Sequence, residues 1–202
     1  MKMNLPNKLT VLRLILVPIF VVIMMVSSAL WASAVGLALF IIASLTDMLD
    51  GKIARKYNLI TDFGKFMDPL ADKFMVIGAM FVILYRTLTL YAEASIFANV
   101  FFWAFMIVIF RELAVTSIRL VVSGSSGIVI AANMLGKIKT CTQIACVICC
   151  IAEPVIYGLL EQEALLKLLP VSLATAALML IFTLWSGINY IVSYWKYLDP
   201  EK

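Results

Sequence analysis

The sequence predicts an all-α polytopic membrane protein, a single domain over residues 1–202 with six transmembrane helices and a short amphipathic interfacial helix before them. Three observations predict it. Of the 202 residues 64% are hydrophobic and only 14% charged, against roughly 45–50% and about 25% in an ordinary soluble domain. A soluble chain of about 150–200 residues buries only about 70% of the surface it exposes when unfolded, so the solvent for most of this surface is lipid. The apolar residues also fall into six runs of about the 20 residues that cross a bilayer, joined by short connections. The same composition excludes a disordered chain, a disulfide-stapled secreted module and a water-soluble nucleic-acid binder, so no nucleic-acid partner is expected.

The elements follow in order. Leu5, Leu9, Leu12 and Leu16 recur at helical spacing, which predicts a short amphipathic helix lying on the membrane interface. The six spans are expected over 11–30, 33–54, 69–91, 95–121, 133–157 and 169–195. Between them lie a tight turn at 28–33, a polar loop at 56–68, a second turn at 86–95, a small-residue loop from Ser123 to Gly127 and an acidic loop at 158–168. Lys2 to Arg13, the apolar run Leu14 to Val26 and Ala32-Ser33-Ala34 also have the shape of a cleavable signal segment. Trp31, suited to an interfacial anchor, and the even number of spans favour an uncleaved first helix. Gly36, Ala38 and Ala43 are small enough for close helix packing.

With an N-terminus in the cytoplasm, all but two of the 16 Lys and Arg residues fall at the cytoplasmic ends of the spans, the exceptions being Arg86 and Lys167. The positive-inside rule then places both termini in the cytoplasm, in a multi-pass protein of the cell membrane. Cys141, Cys146, Cys149 and Cys150 fall within one apolar run and read as small buried hydrophobes rather than a disulfide framework or metal site. The chain has no histidine, so acid–base chemistry must come from carboxylates, Lys, Tyr or Cys.

The carboxylates are where the chemistry is expected. Asp47 and Asp50 are i, i+3 near the end of the second span and share one helical face; Asp68 and Asp72 are i, i+4 at the start of the third. The short loop between these spans makes them antiparallel neighbours and brings both pairs to one depth. Four acids facing one another in a low-dielectric site repel unless a cation sits among them. Intramembrane carboxylates are costly and mark function. A site of hard oxygens favours Mg²⁺, with Mn²⁺ or Ca²⁺ compatible. Singly, Asp68 before Pro69 also reads as a helix cap and Asp50-Gly51 as a turn.

Asp47-x-x-Asp50-Gly51-x-x-Ala54-Arg55, then eight residues, then Gly64-x-x-x-Asp68-x-x-x-Asp72 resembles the signature of the CDP-alcohol phosphotransferases without departure. The resemblance implies a six-helix membrane enzyme, a homodimer, that binds CDP-diacylglycerol or a CDP-alcohol at the cytoplasmic face. It implies that Asp47, Asp50 and Asp68 hold the metal ions, while Asp72 is the general base toward the acceptor hydroxyl and also touches a metal. Gly51, Ala54, Arg55, Thr61 and Gly64 would line the nucleotide and diphosphate site. Glycine permits close approach of a nucleotide to the backbone, arginine offers a donor fork to phosphate, and paired metals stabilise entering and leaving oxygens.

A second set of charges bears on the acceptor. Arg111 and Arg119 on the fourth span and Lys137 and Lys139 on the fifth lie near the depth of the acids, and together suggest a phosphate-bearing second substrate. Arg119 and Lys139 read alternatively as snorkelling side chains, and Arg111, followed by Glu112, as part of a buried ion pair. Leu5-Pro6-Asn7-Lys8-Leu9-Thr10-x-x-Arg13, Arg111-Glu112 and Gly136-Lys137-Ile138-Lys139-Thr140-x-x-Gln143 resemble the bacterial branch of the family that takes glycerol 3-phosphate. That resemblance implies attack of the sn-1 hydroxyl of glycerol 3-phosphate on the β-phosphoryl group of CDP-diacylglycerol with loss of CMP. Asn7 and Thr10 would close over the nucleotide, and the four cations would hold the acceptor phosphate. Inositol phosphate and serine stay open as acceptors. A divalent-cation transporter is the reading from another class, though its carboxylates belong near the midplane rather than around one cytoplasmic loop.

Overall fold

Seven helices make up the secondary structure of the described residues in the computed structural model: α1 (Leu5–Val26), α2 (Leu30–Lys56), α3 (Asp62–Leu90), α4 (Ser95–Ser126), α5 (Met134–Leu159), the short α6 (Glu163–Leu168) and α7 (Pro170–Tyr194). The structure describes residues 3–57, 59, 61–91, 93–126 and 134–195, without the side chains of Arg55, Ser123, Ser125 and Ser126. Lys2, Gly127, Lys196 and Lys202 lie outside the described residues. Five segments, α1, α2 through Ala54, α3, α5 and α6–α7, are long and apolar enough to cross a membrane, and no more than 44% of any of their most apolar stretches is buried within the bundle. The 32-residue α4 supplies the sixth long helix. Large apolar side chains such as Val22, Trp103, Phe110, Trp185 and Val192 face outward, the pattern of a protein whose outer surface is solvated by lipid.

Element boundaries differ from expectation at several points, for local reasons. The amphipathic stretch and the first span form one continuous helix. Asn4 caps it by accepting from the Asn7 backbone N–H at 3.0 Å, and Pro6 suits its first turn. Leu5 and Leu12 point outward, while Asn7, Thr10 and Arg13 are buried. Leu9 and Leu16 are half-buried, so the hydrophobic stripe faces partly outward, while the polar stripe faces the core, because that core contains acids. The loop expected at 56–68 shrinks to a few residues, since Thr61 caps α3 and accepts from the Gly64 N–H at 3.0 Å, so Asp68 and Pro69 lie inside the helix. The acidic loop contains α6.

The tightest helix pairings are α1 with α2 and α3, and α7 with α5 and α4. α2 and α3 touch little, because α1 lies between them. Gly36 of α2 allows that closeness: a Cβ there would sit 2.4 Å from Met24 Sδ. Ala43 is buried against the same core, whereas Ala38 faces outward. Val17, Phe20, Met24, Phe40, Met75, Met80, Phe97, Phe101, Cys146 and Met179 form one continuous core. Of the cysteines, Cys146 and Cys150 are buried as expected, Cys149 is half-buried and Cys141 is exposed at the outer face of α5.

Arg86, one of the two basic residues away from the basic end, has a structural task. It is buried and donates to the Met24 and Ser27 carbonyls at 3.0 Å each and to Ser33 Oγ at 2.9 Å, satisfying the orphan carbonyls where α1 ends. The other, Lys167, pairs with Glu93 at 2.8 Å. Arg86→Met is expected to lower stability by about 2–4 kcal/mol, read as a drop in the detergent-solubilised unfolding midpoint, with Arg86→Lys losing less.

Candidate active site at one end of the bundle

The helices alternate in direction, so the starts of α1, α3 and α5 and the ends of α2, α4 and α7 share one end of the bundle. Every predicted site residue lies there. At its centre is Arg13, fully buried, whose guanidinium is shared by three carboxylates. Nη1 lies 2.7 Å from Asp47 Oδ1 and also bonds Asp72 Oδ1, and Nη2 bonds Asp50 Oδ2. Asp50 is buried, Asp47 is 30% exposed at its side chain and Asp72 49%, so the cluster opens toward one side at Asp72. The fourth acid, Asp68, accepts from Thr10 Oγ1 at 2.6 Å.

The expectation that α2 and α3 bring the two acid pairs together directly is corrected in one respect. They meet across α1, and α1 supplies the cation between them. Among the described residues no three acids, cysteines or histidines are already arranged as a metal cage. Arg13 is missing from the residues singled out for chemistry by the sequence reading. An arginine inside an otherwise apolar helix is a functional signal in its own right, and it is the signal that finds this residue.

The expected nucleotide-site residues surround the cluster. Thr61 Oγ1 donates to Asn7 Oδ1 at 3.0 Å, and Asn4 Nδ2 donates to the Leu59 carbonyl at 2.8 Å, so the start of α1 is stitched to the start of α3. Gly64 is needed at this seam: a Cβ there would lie 3.1 Å from Asn7 Oδ1 and 3.3 Å from Thr61 Oγ1. Asn7 and Thr10 are buried with their polar atoms turned to α3. Gly51 and Ala54 are half-buried along α2. Arg55 belongs to α2, and its side chain lies outside the description.

The four expected acceptor cations divide into two pairs. Arg111 and Lys139 are held together by Glu112: Arg111 Nη1 lies 3.1 Å from Glu112 Oε1, and Lys139 Nζ bonds the same oxygen. Arg111 Nη2 donates to Ser186 Oγ at 2.8 Å, and Gly187 gives its side chain room, since a Cβ there would lie 3.0 Å from Arg111 Cγ. α4, α5 and α7 are thereby locked together. Arg119 and Lys137 are exposed nearer the ends of α4 and α5. Among the described residues Glu112 is the only acid bonded into this set, so the region stays positive. α5, which carries Lys139, packs against α2 and α3, which carry the acids.

The chain belongs to the CDP-alcohol phosphatidyltransferase family, whose model matches residues 3–195. Among similar proteins is the CDP-diacylglycerol–glycerol-3-phosphate 3-phosphatidyltransferase of Bacillus subtilis, 41% identical over 98% of both chains. The enzyme of the same name from Salmonella paratyphi A is 32% identical over 95% of this chain and 94% of that one. A probable phosphatidylglycerophosphate synthase of Mycobacterium tuberculosis is 36% identical over 69% of this chain and 62% of that one.

The Arg13 cluster generates a stability prediction. Arg13→Met strands three acids without a counter-charge and is expected to cost about 3–5 kcal/mol. The double substitution Arg13→Met, Asp50→Asn removes part of that stranded charge and regains part of the loss. Lysine, a point charge on a flexible stem, cannot fork to three partners, so Arg13→Lys stays well below the wild type. Thermal unfolding in detergent with a chelator present measures all three.

Proposed function

We propose that the protein transfers the phosphatidyl group of CDP-diacylglycerol to glycerol 3-phosphate, forming phosphatidylglycerophosphate and CMP, as a homodimer in the cell membrane. One observation carries this reading: an acidic cluster and a basic region share one end of the bundle on neighbouring helices. The names of the similar proteins agree with it. Both termini and this end of the bundle face the cytoplasm, where the soluble acceptor and CMP reside, as the distribution of Lys and Arg supports.

Asp47, Asp50, Asp68 and Asp72 would hold Mg²⁺, or Mn²⁺ in its place. The fit rests on their donors, which are all hard carboxylate oxygens: Arg13 takes one oxygen each of Asp47, Asp50 and Asp72, and each of these carboxylates has a second. Such an ion, when bound, supplies charge neutralisation to the diphosphate as its phosphorus–oxygen bond breaks. Asp72, the most exposed acid of those on Arg13, takes the proton from the acceptor's sn-1 hydroxyl. That oxygen attacks the β-phosphoryl group, and CMP departs with the electrons of the broken bond. Gly51, Ala54, Arg55, Thr61 and Gly64 line the nucleotide and diphosphate, with Asn7 and Thr10 over them. Arg111, Arg119, Lys137 and Lys139 hold the acceptor phosphate; the exposed pair, Arg119 and Lys137, meets the incoming dianion first. A transported cation would need access from both sides of the bilayer, whereas these acids sit at one end.

The test is CMP release by the purified protein in mixed micelles of CDP-diacylglycerol with Mg²⁺, offering glycerol 3-phosphate, inositol phosphate and serine in turn. Only glycerol 3-phosphate is expected to be turned over, and a chelator should stop the reaction. Asp72→Asn is expected to lose at least about 10²-fold in kcat while CDP-diacylglycerol still binds; full turnover would remove Asp72 from the role of base. Lys137→Ala should raise the acceptor's KM with the lipid substrate's KM little changed.

A further inference from the structure

Unpaired polar atoms in the interior concentrate in one place. Among the described residues, seven buried side-chain nitrogen or oxygen atoms have no hydrogen-bond partner, and five of them belong to Arg111, Gln143, Thr183 and Tyr190 on α4, α5 and α7. Gln143 and Thr183 are each 0% exposed, and neither amide atom of Gln143 is bonded. Thr183 departs from the habit of its neighbours. Thr87, Thr116, Thr140, Thr175 and Ser193 each donate back to the carbonyl four residues earlier, the usual way a helical hydroxyl is satisfied. Thr183 leaves its hydroxyl unused.

The register of α5 against α7 puts these two side chains at one level. Near one end of the antiparallel pair, Glu153 accepts from the Val171 and Ser172 N–H groups at 2.8 and 2.5 Å. Near the other, Glu112 bonds Lys139 and Arg111, and Arg111 bonds Ser186. Between those two locks, Gln143 lies one turn deeper than Lys139, and Thr183 lies one turn deeper than Ser186. At a rise of about 1.5 Å per residue, Gln143 sits about 6 Å below Lys139 and Thr183 about 4.5 Å below Ser186, both buried. In the lipid-embedded part of a bundle there is no bulk water to satisfy such groups, so they are satisfied by each other, by a buried water or by a polar group reaching down from the charged end of the bundle.

We infer that Gln143 and Thr183 are the specificity-determining residues of the acceptor pocket: they bind the free secondary hydroxyl of a short polyol phosphate whose phosphate rests on the cations one turn above. The inference rests on the function proposed above and names what selects the acceptor. An amide offers both a donor and an acceptor, and a hydroxyl offers both again; a secondary alcohol is satisfied by one of each. A phosphate ester with no second hydroxyl would leave them unpaired, and a site built to hydrogen-bond a substrate hydroxyl rejects the analogue lacking it.

The experiment compares glycerol 3-phosphate with 3-hydroxypropyl phosphate, which keeps the phosphate and the attacking hydroxyl but lacks the middle one. CMP release from CDP-diacylglycerol is measured for the full-length wild type, Gln143→Met, Thr183→Val and Thr183→Ser. The wild type is expected to favour glycerol 3-phosphate by about 10²-fold or more in kcat/KM. Gln143→Met and Thr183→Val should shrink that preference by about tenfold or more through KM for glycerol 3-phosphate, while Thr183→Ser preserves it. A preference that stays at the wild-type value in both variants, with the two acceptors falling together, makes the residues merely structural and overturns the inference alone. Should Gln143→Met not fold, the contrast between the valine and serine variants at position 183 decides. Wild type that releases CMP with inositol phosphate or serine and not with glycerol 3-phosphate brings down the proposed function and this inference with it.

Discussion

A buried guanidinium shared by three carboxylates is the constraint on which the rest of this structure depends. Arg13 comes from α1, Asp47 and Asp50 from α2, and Asp72 from α3, so one side chain sets the relative height and rotation of three helices. Neither sign is tolerable alone at that depth. A buried charge without its partner costs several kcal/mol, and pairing offsets it only when geometry and additional hydrogen bonds are good. Here the guanidinium meets three carboxylates at once, and neighbouring bonds tie α1 to α3 around it: Thr10 to Asp68, Thr61 to Asn7, and Asn4 to the Leu59 carbonyl. The polar stripe of α1 consequently faces inward, while Leu5 and Leu12 face outward.

The other half of the bundle is organised by a smaller cluster of the same kind with the balance of charge reversed. One carboxylate, Glu112, holds two cations, Arg111 and Lys139, and Ser186 joins α7 to them. α5 packs against α2 and α3 as well as α7, so it carries the basic cluster to the acidic one. Farther along, Glu153 on the same helix caps the start of α7. α5 is therefore pinned to α7 at two heights, and apolar packing fills the interval except at Gln143 and Thr183. An apolar frame that gathers most of its charges at one end suits the proposed reaction between a lipid diphosphate and a soluble phosphate, because both reactants would meet there at one depth.

The acidic half of the site was largely legible in the sequence. Four acids at helical spacings in apolar surroundings have few physical explanations, and the spacing from Asp47 to Asp72 is local enough to read. The basic half was legible only as a set. Sequence places Arg111, Arg119, Lys137 and Lys139 at similar depth, yet only side-chain packing separates the pair held by Glu112 from the exposed pair. Helix ends are hidden from composition where a cap competes with polarity: Asp62 to Pro69 is polar enough for a loop, and the Thr61 cap makes it helix.

By itself the sequence determined the solvent of this protein, the number of long helices, the end of the bundle at which charge collects and the acids that gather there. These follow from hydropathy and periodicity, which act over a few turns of one helix. Only the tertiary structure decided that α1 separates α2 from α3, that Arg13 is the cation among the acids, and that Gln143 stands level with Thr183. Those facts join residues 30 to 60 positions apart, and they depend on which helix faces which. That choice is made by pairing buried charges and excluding voids across the whole bundle, information that no single stretch of chain contains.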